Sequence, residues 1–362
     1  MSRARDFADL AGSADAGGIT GKNLIINGAM QVAARGTQTN QTSAYTACDR
    51  FDIAVTGAAI MTTSQDTTIP SGQGFSNSLK IDVTTADSSL AADDLVFLRH
   101  KIEGQNLQHL LYGTSDAKKI TLSFWVRSPK TGTHIIELRH AAINYFNSQV
   151  YTINTADTWQ NVTVTFDGYT ATAIGNDNGV GLTIDWWLAA GSTYSGGTLS
   201  SNTWHNTQAN RAVGQVNVVD DAANNFYITG VQLEVGTATP FEHRSYGDEL
   251  LRCQRYYYNT YITPQSSGSG SNGLQAGTFN ANDRYNVDNF FPVEMRSQPT
   301  VVYYGGRSGS SNTADRVSRY NSDTLRSFVN EPNVTVKGIR GYFDTDSNDF
   351  AIKYHFTANA EL

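Results

Sequence analysis

The chain has 362 residues, of which 39% are hydrophobic and 16% are charged, and its formal net charge is −7. The charged share lies below the roughly 25% that is usual for globular proteins, and Gly, Asn, Ser and Thr take its place. The acidic balance argues against general nucleic-acid binding, which needs a basic surface. Surfaces rich in Thr, Asn and Gly are typical of strands and turns, so the composition predicts a large all-β architecture.

The cysteines and the hydropathy of the sequence argue against a zinc site, membrane insertion and Sec-dependent export. The two cysteines, Cys48 and Cys253, lie far apart, and no CxxC or Cys/His spacing occurs. A zinc site is therefore not expected, whereas a single disulfide and two buried free thiols both stay open. The sequence lacks an apolar run of about 18 residues, and residues 1–21 lack a signal-peptide core. We expect no membrane insertion and no Sec-dependent export.

Residues 1–21 are predicted to form a leader. Residues 2–10 have the pattern of a short helix with Phe7 and Leu10 on one face, and Gly12 follows it. A helix of this length is marginal in water by itself. We therefore expect it to dock onto a partner, with a frayed terminus as the alternative.

Residues 22–242 are predicted to form one large β-sandwich domain. Short apolar segments, from 23–30 to 225–235, are separated by Gly, Asn and Ser. From Ile120 to Val126 every second residue is apolar, which places Trp125 on the opposite face of that strand. Many short strands with such punctuation favour a sandwich or barrel over an α/β fold.

Residues 243–259 are predicted to form one connecting helix. Ser245 followed by Asp248 has the spacing of a capping box. Asp248 and Glu249 in the first turn complement the helix dipole, and Arg252 lies toward the other end.

Residues 260–362 are predicted to form a small C-terminal β-sandwich domain. The composition of 266–273 indicates a flexible loop. The segments 341–343 and 350–356 are predicted to form a terminal hairpin, with 344–349 as its turn.

Motifs for catalysis or metal binding are not found. The sequence has no Gly-x-Ser-x-Gly elbow, no Walker loop and no His-Glu-x-x-His. The acidic run that begins at Asp344 has Asp349 at its sixth position and His355 at its twelfth, where a calcium loop needs Gly and Glu. We therefore predict neither an enzyme nor a bound cofactor.

Aromatic residues are the stronger functional signal, because a pyranose ring has one apolar face that packs on a flat aromatic side chain. All five tryptophans lie within 22–242, and Trp125 and Trp159 are predicted to pack in or against the sandwich. Adjacent residues on a strand face opposite ways, so one of Trp186 and Trp187 is predicted in the core and the other at the surface. Trp204 stands in a polar loop and is predicted to be exposed. The glycan-binding candidates are Trp186, Trp187, Tyr194, Trp204 and His205.

Three consecutive tyrosines, Tyr256, Tyr257 and Tyr258, cannot all be buried on one face. Tyrosine is favoured at interfaces. We therefore predict that these residues pack at a domain or subunit interface.

Four segments together resemble the jelly roll of carbohydrate-binding modules. They are Asn-Leu-Ile-Ile-Asn-Gly-Ala-Met at 23–30, Ile-Thr-Leu-Ser-Phe-Trp-Val-Arg at 120–127, Thr-Trp-Gln-Asn-Val-Thr-Val-Thr-Phe at 158–166 and Phe-Tyr-Ile-Thr-Gly-Val-Gln-Leu-Glu at 226–234. The resemblance implies a jelly-roll sandwich that binds sugar. Many members hold a structural calcium near the first and last strands, but here Gly230 stands where an acidic residue is often found.

A second resemblance, to tail-fibre proteins of tailed bacteriophages, covers nearly the whole chain. It is carried by 23–30 with Arg35-Gly36, Asp-Asn-Gly-Val-Gly-Leu at 177–182, Thr-Gly-Val-Gln-Leu-Glu-Val-Gly at 229–236, Pro-Phe-Glu-His-Arg-Ser-Tyr at 240–246 and Cys-Gln-Arg-Tyr-Tyr at 253–257. The leader and the ending Phe-Thr-Ala-Asn-Ala-Glu-Leu at 356–362 are also similar to that group.

This second resemblance implies a homotrimeric component of the virion, assembled in the host cytoplasm and exposed on the particle. The leader, through Arg3, Arg5, Phe7 and Leu10, would attach to a tail, baseplate or capsid adaptor protein. The remaining domains would bind host polysaccharide or lipopolysaccharide. Two alternatives stay open: a structural virion protein without an essential ligand, such as a capsid decoration or head fibre, and a polysaccharide depolymerase. The second is disfavoured because the long parallel β-helix repeats of such enzymes are not seen.

Overall fold

A computed structural model describes residues 21–261, 274–276, 284–305, 313–318, 325–327, 333–344 and 349–362. The predicted attachment residues Arg3, Arg5, Phe7 and Leu10, and the predicted loop at 266–273, lie outside the described residues. The described part of the chain forms two compact units. The first contains residues 21–31, 38–245 and 362, and the second contains residues 32–37 and 246–361.

The first unit consists of two six-stranded antiparallel sheets. Sheet A has the order β1-β4-β5-β12-β7-β10, formed by β1 (Gln38–Gln41), β4 (Ile60–Asp66), β5 (Ser78–Thr85), β12 (Asn225–Val235), β7 (Ile120–Arg127) and β10 (Gln160–Phe166). Sheet B has the order β2-β3-β6-β11-β8-β9, formed by β2 (Ala44–Tyr45), β3 (Phe51–Thr56), β6 (Leu95–Glu103), β11 (Val180–Ala190), β8 (Gly132–His140) and β9 (Tyr145–Ile153). The chain crosses repeatedly between the sheets, which confirms the predicted jelly-roll sandwich.

The core lies between the two sheets. As the alternation predicts, Leu122, Phe124 and Val126 of β7 are fully buried there. Trp186 of β11 packs at the centre, with its ring centroid 5.8 Å from that of Phe124 and 6.2 Å from that of Phe51. Short helices join the strands: a 3₁₀ turn at Gly104–Leu110, α1 at Ser192–Ser195 and a second 3₁₀ turn at Gln208–Asn210.

The opening segment 23–30 is not a regular strand, and that prediction is wrong. It lies beside β12 and is held there by two backbone hydrogen bonds, Leu24 N–H to the Leu233 carbonyl and Val231 N–H to the Gly28 carbonyl, both at 2.9 Å, and by the buried side chain of Asn23. The Asn23 amide donates to the Val231 carbonyl at 3.1 Å and accepts from the Leu233 N–H at 3.0 Å. Positive φ angles at Asn27 and Met30 turn the backbone away from extended geometry, so side-chain bonds replace a regular ladder.

The second unit contains the connecting helix and two further sheets. Helix α2 (Tyr246–Gln254) confirms that a helix lies in this segment, with Asp248 and Glu249 in its first turn. The predicted extent to residue 259 is wrong, because residues 257–259 form a strand that pairs with residues 357–359. One sheet has β21 (Asp349–Asn359) paired with β13 (Tyr257–Asn259), β14 (Leu274–Ala276), β16 (Thr300–Gly305) and β17 (Thr313–Ser318), which pairs β18 (Leu325–Ser327). The other has the order β15-β20-β19, formed by β15 (Arg284–Phe290), β20 (Gly338–Asp344) and β19 (Asn333–Thr335).

The predicted terminal hairpin is wrong. Strand β20 pairs with β15 and β19, whereas β21 belongs to the other sheet. Partners on both edges of β20 satisfy its backbone groups, so sequence neighbourhood does not lead to pairing with β21.

Candidate functional site

The candidate site is a groove on the outer face of sheet A. Strand β7 turns Ser123 and Trp125 outward, because its alternate residues fill the core. Strand β10 runs beside it and contributes Asn161 and Thr163. The register sets Trp125 opposite Asn161 and Ser123 opposite Thr163, so one indole and three small polar side chains form the floor.

Three ring-bearing side chains from loops form one wall of the groove. Phe75 comes from the connection between β4 and β5, and Phe241 and His243 follow β12. The Phe75 ring centroid lies 5.0 Å from that of Phe241 in an edge-to-face arrangement and 5.3 Å from that of His243. Phe241 and His243 are 4.9 Å apart, so the three rings support one another. His243 is exposed at the rim, whereas Phe75 is buried at the base.

Gly230 makes room for the aromatic residues of the groove. It has a φ of 62° and lies at an irregularity of β12 between Thr229 and Gln232. A Cβ atom at this position would lie 2.5 Å from the Phe75 ring and 3.0 Å from the Trp125 indole. The position requires glycine both for its backbone angle and for the close approach of the two rings.

We expect Gly230→Ala to displace Trp125 and to lower the free energy of unfolding by about 1–3 kcal/mol beyond the backbone strain, because the added methyl overpacks the site. Gly236→Ala is the matched control. Gly236 also has a positive φ, of 81°, but nothing lies within 4 Å of its added Cβ. Chemical denaturation of both variants measures the difference. Equal losses of stability would show that the ring contacts at Gly230 impose no constraint.

The chemistry of the groove suits a neutral polar ligand with an apolar face. The cavity has a volume of about 480 Å³. Gln73, Asn161 and Thr163 are exposed and offer amide and hydroxyl groups, while Trp125 is half-buried and offers part of its ring face. The described lining residues contain no Asp, Glu, Lys or Arg. Small-molecule sites combine apolar ring faces with placed polar groups on a concave surface, and this groove offers both.

The five glycan-binding candidates from the sequence lie elsewhere. Trp186 and Trp187 are both fully buried, so the prediction that one of them lies at the surface is wrong. Trp187 does face away from Trp186, onto the outer side of sheet B. That side is covered by the connection between β11 and β12, residues 191–224, which we call the covering loop. Tyr194 of this loop packs half-buried on Trp187, with ring centroids 5.6 Å apart.

Trp204 is half-buried rather than exposed, which corrects the prediction for this residue. Its indole N–H donates to the Asp167 carbonyl at 2.8 Å, and its ring packs against Tyr112 and Tyr169. His205 exchanges two backbone hydrogen bonds with Phe146, at 2.7 and 2.9 Å. Both residues therefore tie the covering loop to its surroundings.

The covering loop is also held by charge. Arg211 of the loop donates to the Glu137 carboxylate at 2.9 and 2.7 Å, and Arg99 donates to the Asp185 carboxylate at 2.6 and 2.8 Å. Both carboxylates are fully buried. We call these four residues the buried ion network. Burial alone would lower the pKa of Arg211, but the attraction of Glu137 outweighs it and raises that pKa. Burial raises the pKa of Glu137, and the nearby Arg211 opposes that rise.

The three consecutive tyrosines lie in the second unit. Tyr256 and Tyr257 are buried, and Tyr258 is partly buried. The Arg35 guanidinium stacks on the Tyr257 ring at 3.7 Å from its centroid. Tyr258 packs against Phe356 with the ring centroids 5.7 Å apart. Contacts within the unit thus bury much of the surface of these three side chains. Their role at a subunit interface stays a prediction.

That the protein binds no cofactor, including calcium near the first and last strands, stays a prediction. The Glu242 carboxylate there accepts hydrogen bonds from the backbone N–H groups of Gly21 and Asn23 at 2.7 and 2.8 Å, and from Arg244 at 3.4 Å. Burial would raise the pKa of Glu242, but these donors outweigh it and lower that pKa. Among the described residues, no group of three or more His, Cys, Asp or Glu side chains could hold a metal ion.

Two observations bear on the exclusions drawn from the sequence. Cys48 and Cys253 are both buried, and neither forms a disulfide. Within the described ranges, no helix has the length and apolar character to cross a membrane.

Comparisons with known proteins give distant structural likenesses. No family model and no curated protein matches the chain. The bacteriophage CBA120 tailspike protein 4 enzymatically active domain matches at 12% identity and a TM-score of 0.34, covering 59% of this chain and 22% of that structure. TmCBM61 in complex with β-1,4-galactotriose matches at 10% identity and a TM-score of 0.32, covering 60% and 100%. A family 11 carbohydrate-binding module from Clostridium thermocellum, in complex with a β-1,3-1,4-mixed-linked tetrasaccharide, matches at 11% identity and a TM-score of 0.27, covering 54% and 91%. The chain thus spans about a fifth of the length of the tailspike structure.

Proposed function

We propose that this protein binds a neutral glycan in the groove over sheet A, and that it does so as a fibre component of a bacteriophage particle. The observation that carries the first part is the half-buried Trp125, which lies in a concave surface beside exposed amide and hydroxyl groups. The indole face packs on the apolar face of a pyranose, and Gln73, Asn161 and Thr163 hydrogen-bond its hydroxyl groups.

Binding is favoured over cleavage by the charges of the groove. Glycoside hydrolysis ordinarily uses two carboxyl groups on either side of the scissile bond. The described residues that line the groove supply none. Glu137 and Asp185 do lie near each other across β8 and β11, but both are fully buried and paired with arginine. We therefore propose recognition of a glycan rather than its depolymerisation.

The virion part of the proposal is supported by the sequence resemblance to tail-fibre proteins. It includes attachment through residues 1–21 to a tail, baseplate or capsid adaptor protein, assembly as a homotrimer, and host polysaccharide or lipopolysaccharide as the ligand. Light scattering on the full chain tests the assembly, and a monomer would contradict it. A structural virion protein without a ligand differs from this proposal in having no measurable affinity for glycans.

We expect Trp125→Ala to weaken glycan binding about 10- to 100-fold while leaving the fold intact, because the lost stacking surface is central to the groove. Binding of the full-length chain to an array of immobilised bacterial polysaccharides and oligosaccharides measures the effect. Trp159→Ala is the matched control, since Trp159 is also half-buried but is not among the residues that line the groove. If the unmodified protein binds nothing on the array, or if both variants lose binding equally, the groove is not a glycan site.

A further inference from the structure

Phe290, at the end of β15, is unusually exposed. Its relative exposure is 83%, the highest of the large apolar side chains among the described residues. Leaving such a side chain in water forgoes the favourable free energy of burying it. An exposed aromatic residue needs no explanation by itself, so its surroundings decide whether it belongs to a site.

The surroundings of Phe290 are a shallow trough on one face of the β15-β20-β19 sheet. The register sets Phe290 opposite Gly338, which is in turn opposite Thr335. These three residues line a depression beside the Phe290 ring. A Cβ atom at Gly338 would lie 2.5 Å from the Asn289 carbonyl oxygen, so the close approach of β15 requires glycine here. The cavity has a volume of about 230 Å³. The other face of this sheet is packed, since Ile339 is buried and Asn289 donates to the Tyr354 hydroxyl at 3.0 Å.

A row of polar groups runs beside this trough. Asp288, Arg340 and Asn333 lie opposite one another across the three strands. The Arg340 guanidinium donates to both Asp288 oxygens, at 2.8 and 3.4 Å, which orients the pair in the plane of the sheet face. Such a pair places donors and acceptors side by side, and vicinal hydroxyl groups of a sugar ring need that arrangement.

We propose that this trough, defined by Asp288, Phe290, Asn333, Thr335, Gly338 and Arg340, is a second saccharide-binding site of the protein. A single pyranose unit stacks on Phe290 above Gly338, and its adjacent hydroxyl groups bond to the Asp288–Arg340 pair and to Asn333. The site belongs to the second unit and shares no residue with the groove over sheet A. It goes beyond the proposed function, because it predicts saccharide binding that persists when Trp125 is removed.

The charges around Phe290 favour a saccharide over a second copy of the chain as the occupant. The centres of protein interfaces are depleted in charged residues. Here Phe290 stands beside the exposed Asp288–Arg340 pair, with the exposed Lys337 also lining the cavity. One aromatic ring bordered by exposed polar groups matches the small footprint of a sugar unit.

The test uses the full chain with Trp125→Ala as the background and adds Phe290→Ala, with Leu251→Ala as the control. Leu251 is also an exposed apolar residue of the second unit but lies on α2. Saturation-transfer NMR with methyl glycosides of glucose, galactose, mannose and N-acetylglucosamine, followed by the glycan array, reports binding. We expect residual binding in the background, a loss of about tenfold or more on Phe290→Ala, no loss on Leu251→Ala, and recovery on Phe290→Trp.

Each contrary outcome is distinct. If Trp125→Ala alone abolishes all binding, the second site does not exist and the groove proposal stands. Residual binding that persists in the Trp125→Ala background but is unchanged by Phe290→Ala would show that the residual binding site is not the trough. The same conclusion follows if Phe290→Ala and Leu251→Ala lower the residual binding equally. If Phe290→Ala lowers the mass measured by light scattering without changing saccharide binding, the trough is a contact between copies of the chain. Circular dichroism verifies that each variant is folded.

Discussion

Arg211→Met is expected to lower the free energy of unfolding of the first unit by about 3–5 kcal/mol, because it leaves Glu137 as an unpaired buried carboxylate. Glu137 is fully buried, and the Arg211 side chain is only 8% exposed. The Arg211 guanidinium also stacks on Phe146 at 4.1 Å and on Trp187 at 5.0 Å from the ring centroids, so packing is lost together with charge.

Two further variants isolate the contribution of charge. The double variant Arg211→Met with Glu137→Leu removes both partners and is expected to cost clearly less than the two single changes added together. Lys119→Met breaks an exposed pair with Asp167 and should cost less than about 1 kcal/mol. Urea denaturation followed by circular dichroism is measured on the unmodified chain, on Arg211→Met and Glu137→Leu alone, on the double variant and on Lys119→Met. A loss for Arg211→Met no larger than that for Lys119→Met would mean that the covering loop is held by other contacts.

Trp186→Ala is expected to cost about 3–5 kcal/mol of stability, because it removes the largest side chain of the core between the sheets and the site cannot collapse fully. The same variant should bind glycan with unchanged affinity in its folded fraction, since Trp186 lies on the side of sheet B that faces the core. Thermal unfolding and glycan binding are measured on one preparation. Half-buried Trp159 provides the comparison, because Trp159→Ala should cost less. Lost binding at unchanged stability would restore Trp186 as a ligand contact.

The sequence was sufficient to predict the faces of individual strands. Alternation of apolar residues along β7 correctly assigned Leu122, Phe124 and Val126 to the core, and it put Trp125 on the opposite face. That signal could have identified Trp125 as a groove residue, but the glycan-binding candidates did not include it. The other walls of the groove could not be predicted, because Phe75 and Phe241 come from loops about 165 residues apart that meet only in the fold.

The alternation of apolar residues along a strand does not predict which segment covers the sheet. Alternation predicted that Trp186 and Trp187 face opposite ways, which is so, but an outward residue is exposed only if nothing lies over it. The covering loop buries Trp187 through contacts with residues such as Tyr194 and Ala212. These residues are not on the strands that pair with β11, so strand alternation does not reveal them. The polar residues around Trp204 in that loop predict exposure, not a cover over the sheet. The buried ion network explains how a polar loop can cover a sheet, because Arg211 of the loop pairs with the Glu137 carboxylate of β8 beneath it.

The bonds of Asn23 also determine when this protein can complete its fold. Its partners on β12 stand 208 and 210 residues further along the chain. A ribosome adds about 5–20 residues per second, so these two partners of Asn23 follow it by about 10–40 s. Contacts this distant in sequence form slowly even in the finished chain. Throughout that interval β5 and β7, which flank β12 in sheet A, each have an edge without this partner, and such edges can aggregate. We therefore expect the yield of folded protein in a cell to depend on the speed of translation as well as on stability.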